Sequence, residues 1–189
     1  NEGVLNVSGT NNLGLITDNA TTKTGELNLT GTITANSTVS QNVVNVQSGA
    51  SLLVNDSITS AVNNSSSINV TDLAGSITGT ITNKLETSSI TSNASNLIGT
   101  INNAGILNLT GGVTQGAIGN YDNTNGVINV TGDLGVATAI SDNTINLQGA
   151  HSITLTTGSL NLTGFTNDTL GSSLNTAQGG VNADVVSLG

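Results

Sequence analysis

Gly105-Ile106-Leu107-Asn108-Leu109-Thr110-Gly111 decides the fold. Side chains alternate along a strand, so Leu107 and Leu109 share one face and Asn108 and Thr110 the other. The flanking glycines, Gly105 and Gly111, let the chain turn. One such strand cannot bury its apolar face, but a stack of them can. Versions of the unit recur along the chain: Leu5-Asn6-Val7-Ser8, Leu27-Asn28-Leu29-Thr30, Val44-Asn45-Val46-Gln47 and Ile68-Asn69-Val70-Thr71. Further on come Ile128-Asn129-Val130-Thr131, Ile145-Asn146-Leu147-Gln148 and Leu160-Asn161-Leu162-Thr163. A degenerate copy is read at Leu85-Glu86-Thr87, where the Asn is lost. Centre-to-centre steps run from 15 residues (Asn146 to Asn161) to 24 (Asn45 to Asn69). A loose period of roughly twenty residues indicates a solenoid or array.

Second strands follow many units, as at Thr32-Ile33-Thr34, Ala50-Ser51-Leu52-Leu53-Val54 and Ala150-His151-Ser152-Ile153-Thr154-Leu155. A third apolar patch often precedes the next unit: Leu15-Ile16, Val39, Ile81, Leu97-Ile98-Gly99-Thr100-Ile101, Ile118 and Ile140. No 3.6-residue apolar stripe supports helices. The expectation is an all-β chain: a parallel β-helix (β-solenoid) of about nine to ten coils of roughly 15–24 residues. Residues 1–189 are read as a single domain. Small aliphatics fill its narrow interior, and outward Asn and Thr stack on their equivalents one coil away. Thr80 to Asn103 is read as a coil with a side loop carrying Lys84 and Glu86. The tail from Thr166 to Gly189 is less regular, with Ala183-Asp184-Val185-Val186 as a final strand. Neither end shows an amphipathic capping helix. The expectation is therefore a processed part of a longer chain, or ends that pair with other subunits.

The chain contains no Pro, Cys, Met or Trp, and charged residues are only 7%. Disordered chains carry high charge and few β-branched residues, the reverse of this composition. Pro is excluded where nearly every amide donates to a neighbouring coil. Two lysines, Lys23 and Lys84, face eleven carboxylates, for a net charge of -9. Nucleic acid binding needs cations against phosphate and is excluded on that ground. Docking on anionic membranes is disfavoured likewise, and no apolar run approaches a membrane helix.

Candidate chemistry is sparse. His151 is the only histidine; it shares the parity of Ile153 and is weighed as a general base near Asp142 against a corner residue, which is preferred. Asn120-Tyr121-Asp122-Asn123-Thr124-Asn125-Gly126 is rich in oxygen but lacks the closing Glu of an EF-hand, so it is read as a turn rather than a Ca²⁺ loop. Gly132-Asp133-Leu134-Gly135 resembles a calcium-binding nonapeptide only once, where an array is needed, and is also read as a turn. The acids Glu2, Asp18, Glu26, Asp56, Asp72, Glu86, Asp122, Asp133, Asp142, Asp168 and Asp184 are scattered, and Arg is absent. A glycosidase needs paired carboxylates, so catalysis is not expected. No catalytic residue, metal ligand or cofactor is assigned. The Asn-x-Thr triplets, such as Asn108-Leu109-Thr110, follow from the strand motif itself rather than marking glycosylation. Ice binding wants a flat, regular Thr-x-Thr array, which the uneven steps argue against.

The Gly-x-Leu-Asn-Leu-Thr-Gly units, the Asn/Thr/Ser/Gly bias and the absence of Cys resemble the passenger regions of bacterial autotransporters and filamentous-haemagglutinin-type adhesins. That resemblance covers the whole chain and implies a right-handed parallel β-helix on a Gram-negative cell surface, used for adhesion or as a stalk. It carries no functional residues at fixed positions. The expected function is a non-enzymatic extracellular adhesin or stalk, with host surface or matrix molecules as partners. The alternative is a subunit that polymerises end to end, copy on copy, into a filament or sheath.

Overall fold

The computed structural model describes residues 2–18, 24–71, 74–168, 172–175, 181–183 and 186–188. Lys23, Asp72, Asp184 and Val185 lie outside them. The chain is a parallel β-solenoid of about 9 turns. Each turn has three sides, and every strand pairs in parallel with the strand one turn away. On the first face Leu5, Leu27, Val44, Val62, Ile81, Ile101, Ile118, Ile140, Leu160 and Val181 follow one another in register. On the second face the column is Asn11, Ile33, Leu52, Ile68, Ile90, Leu107, Ile128, Ile145, Phe165 and Val186. The third face holds Ile16, Val39, Ile58, Ile77 and Leu97. In the C-terminal half a separate ladder runs through Gly112, Leu134, Ile153 and Leu174. The break between the two sections falls at a single 3-10 turn, Ala94–Asn96.

From Leu27 to Phe165 the buried members of these columns are the core. The buried aliphatics form one continuous cluster along the stack, with Phe165 the one large ring inside it. Alternation explains the pattern: in Ile106–Leu109 the two leucines are buried and Ile106 and Asn108 are half-buried.

Three readings of the sequence are corrected by the structure. The Asn-centred units do not form one column. Asn6, Asn28, Asn45 and Asn161 belong to the first face, whereas Asn69, Asn108, Asn129 and Asn146 belong to the second. The longest and shortest steps, Asn45 to Asn69 and Asn146 to Asn161, are the places where the motif changes face. Leu85-Glu86-Thr87 is not a strand but a turn, with Leu85 43% exposed. The strand of that coil is Ser89–Ser92, and Thr91 takes the Asn position between Asn69 and Asn108. The expected side loop is this turn, which Ser88 closes: its Oγ accepts from Leu85 N and its backbone N–H donates to Leu85 O. The proposed strand Ala183-Asp184-Val185-Val186 is divided: Val181–Ala183 and Val186–Leu188 are strands on different faces, with Asp184 and Val185 outside the described residues.

The corner between the first and second faces carries a device that was not anticipated. Asn64, Asn83, Asn103 and Asn143 are fully buried there. Asn64 Nδ2 donates to Asn83 Oδ1 (2.9 Å) and Asn83 Nδ2 to Asn103 Oδ1 (2.8 Å). Asn103 Nδ2 then donates to Asn143 Oδ1 (3.0 Å), 40 residues on, two coils away. The intervening coil supplies Gly126, where any side chain would strike the Asn103 amide. No buried side-chain polar atom among the described residues lacks a partner.

Candidate functional site

His151 stands at the corner before Ser152–Leu155, half-buried, rather than inside with Ile153. The carboxylate beside it is Asp133, not Asp142: His151 Nδ1 lies 3.8 Å from Asp133 Oδ1. Asp142 occupies a different corner, with φ 54, next to the buried Asn143. Asp133 Oδ1 also accepts from Ser152 N (2.8 Å) and Ser152 Oγ (2.9 Å). The backbone hydrogen bond from Ser152, then its hydroxyl, and more weakly the charge of His151 hold the Asp133 carboxyl below its ordinary range. A nucleophilic relay needs the hydroxyl to point at the imidazole and the imidazole at the carboxylate. Here hydroxyl and imidazole address one carboxylate oxygen. The arrangement ties one coil to the next and leaves Ser152 without a base.

Within Asn120–Gly126, Asn120 ends a strand of the stack, Gly126 is buried against Asn103, and the residues between them form a tight hairpin. Tyr121 and Thr124 form an antiparallel bridge, and Asp122 and Asn123 at the tip have φ 52 and 57. Positive φ at both central residues is the type I′ turn, which Asp and Asn tolerate. Its single carboxylate is exposed at the tip. In Gly132-Asp133-Leu134-Gly135, Asp133 is engaged with Ser152 and Leu134 is buried in the core. Among the described residues, no three His, Cys, Asp or Glu side chains come together.

The outer surface is organised by amide ladders. On the first face Asn28 Nδ2 donates to Asn6 Oδ1 (3.0 Å), Asn45 to Asn28 (2.8 Å) and Asn63 to Asn45 (2.8 Å). On the second face Asn108 donates to Thr91 Oγ1 (3.2 Å), Asn129 to Asn108 (2.9 Å) and Asn146 to Asn129 (3.0 Å). The outward stacking read from the sequence is present, in two ladders.

A recess of about 480 Å³ lies at the corner between the third and first faces in the N-terminal half. It spans four coils and includes Thr17, Ser40, Thr59 and Thr78, which stack in register. A bulge shapes it: between Ser40 and Val43 the strand Val39–Val46 carries an extra residue relative to Ser57–Asn64. Gln41, in that bulge, is 4% exposed; its N–H donates to Ser60 Oγ and its Nε2 to Ser40 O.

Comparison with protein-family models, with curated proteins and with solved structures found no match.

Proposed function

We propose that the chain is a non-enzymatic extracellular surface protein of a bacterium, an adhesin or structural stalk built as a β-helical rod. The observation that carries this reading is the uninterrupted stack. One core and two strand ladders run along the described chain, a third side changes ladder at Ala94–Asn96, and outward neutral amides on two faces bond to one another. Such a surface is cheap to hydrate and poor in charge, which suits a scaffold that presents corners and loops. The unit pattern and composition support the autotransporter-passenger and filamentous-haemagglutinin type within that class. Host surface or matrix molecules are the partners this reading expects.

The test is binding of the purified rod to immobilised matrix proteins and to host cells. Saturable binding is the expected result. Discrete rods that bind none of them would overturn the adhesin reading.

The second reading is end-to-end assembly, which the parallel stack itself favours: coil pairs with coil through strand edges, and such an edge is a template for another chain. Electron microscopy and light scattering over a concentration series separate the two: filaments favour assembly through the ends, and monomeric rods exclude it.

A further inference from the structure

We propose that the recess between the third and first faces is a binding site for an extended neutral glycan lying along the stack. The proposal takes the extracellular surface reading as its setting and names a ligand class for it. Three features of the recess carry the inference.

The first is unspent hydrogen-bonding capacity. Many outward amides and hydroxyls bond to the coil above or below, as Asn45 does to Asn28 and Thr71 to the Val54 carbonyl, while the Thr32, Ser51, Ser67 and Ser89 row on the second face is open like the recess but, among the described residues, has no hollow beside it. In the recess the hydroxyls of Ser40, Thr59 and Thr78 and the amide of Asn42 make no hydrogen bond to another described residue. They are donors and acceptors in one row, which is what the hydroxyls of a sugar require. The row repeats with the strand separation of about 4.8 Å, so four coils offer a track on the order of 15 Å. A repeating ligand matches a repeating track, whereas a small compact ligand does not.

The second feature is rigidity. The Gln41 and Ser60 backbone and side-chain bonds fix the floor, and Gly79 (φ 141) brings the chain so close to Ser60 that no side chain fits between them. A preformed site loses little entropy on binding.

The third is charge. Among the described residues the lining has no cation, and its one carboxylate there, Asp18, accepts from Gly25 N (2.9 Å). With a net charge of -9, an acidic polymer is repelled. Beyond Thr78 the same column continues to Ile98, 41% exposed, an apolar seat for the C–H face of a sugar ring. Among the described residues no second carboxylate faces Asp18 across the recess, and the proposal is of binding alone.

The experiment is an amide-resolved NMR titration with four neutral oligosaccharides, maltohexaose, cellohexaose, chitohexaose and mannohexaose, with a heparin hexasaccharide as acidic control. The double variant Thr59→Val/Thr78→Val keeps the β-branched shape of two exposed positions and therefore the fold. The expected result is saturable movement of the Ser40, Asn42, Thr59 and Thr78 resonances with one neutral glycan, tighter for longer oligomers and about tenfold weaker in the variant. Silence of these resonances with all four, movement only elsewhere, or a response to the heparin fragment alone would overturn the proposal. Cell and matrix binding measured on the same variant keeps the two readings apart. Undiminished adhesion with a silent recess removes the glycan site and leaves the adhesin. A working recess without adhesion removes the adhesin and leaves the site.

Discussion

The same residue type does different work on the two sides of this wall. Asn83 is buried, donates to Asn103 Oδ1 and the Ile106 carbonyl, and accepts from Asn64 and from Ser88 Oγ. Replacing it with Leu strands several polar groups away from water, at about 1–3 kcal/mol for each one left unsatisfied. Asn83→Leu should therefore destabilise the rod by about 3 kcal/mol or more in urea unfolding. Asn129, half-buried in the outer ladder, bonds to Asn108 and Asn146, which water can serve instead. Asn129→Val should cost about 1 kcal/mol. Equal losses in the two variants would show that the buried ladder is not special. Asp133 belongs to the same scale. Its folded pKa is depressed, so its contribution to stability is present above the unfolded value and is lost as pH falls through the folded one. Ser152→Ala removes one of the two donors, and in an NMR titration the Asp133 carboxyl should move part of the way back up. An unmoved midpoint would mean that the hydroxyl bond is absent in solution.

At the scale of the element, glycines decide where strands end and how closely coils approach. Gly99 has φ 134, and a methyl there would strike the Gly79 carbonyl one coil away; one at Gly116 would in turn strike Gly99. Gly99→Ala combines overpacking of about 1–3 kcal/mol with backbone strain of similar size. Thermal unfolding should show a lowered midpoint, while Gly14→Ala, which meets nothing, should leave it unchanged. Strand alternation was legible because a parity rule needs only neighbours in sequence. The second Asn of Asn63-Asn64 and Asn102-Asn103 carries the inward parity, which is the signal that could have revealed the buried ladder. The false unit at Leu85 arose because Leu and Thr around a polar residue fit the strand template. What places that segment in a turn is Ser88, which bonds to Leu85 and Asn83 and so depends on the corner already being formed.

For the whole molecule, each coil touches only its neighbours, so damage should stay local along the axis. Leu109 is fully buried in mid-stack, and Leu109→Asp places an unpaired charge in the core. The expected loss is above about 4 kcal/mol, with hydrogen-exchange protection lost first in the coils on either side. Leu5, 38% exposed in the first coil, should tolerate Asp with a loss under about 1 kcal/mol. If both variants unfold the chain alike, the stack is a single cooperative unit. About 9 turns at the strand separation give a rod on the order of 45 Å, which scattering in solution can check.

The sequence by itself determined the class of fold: alternation, glycine corners and a repeat of roughly twenty residues leave stacking as the way to bury short apolar strands. It also determined the outward Asn and Thr and the scarcity of cations, two lysines against eleven carboxylates. Only the tertiary structure decided which coil lies on which. It sorted one sequence motif onto two faces, paired His151 with Asp133, joined Asn103 to Asn143, and aligned Ser40, Thr59 and Thr78 in one recess. The physical reason is that these contacts depend on the length of every intervening corner. Corner lengths vary by several residues, and register along a stack is settled by the sum of side-chain packing over all coils rather than by any local stretch.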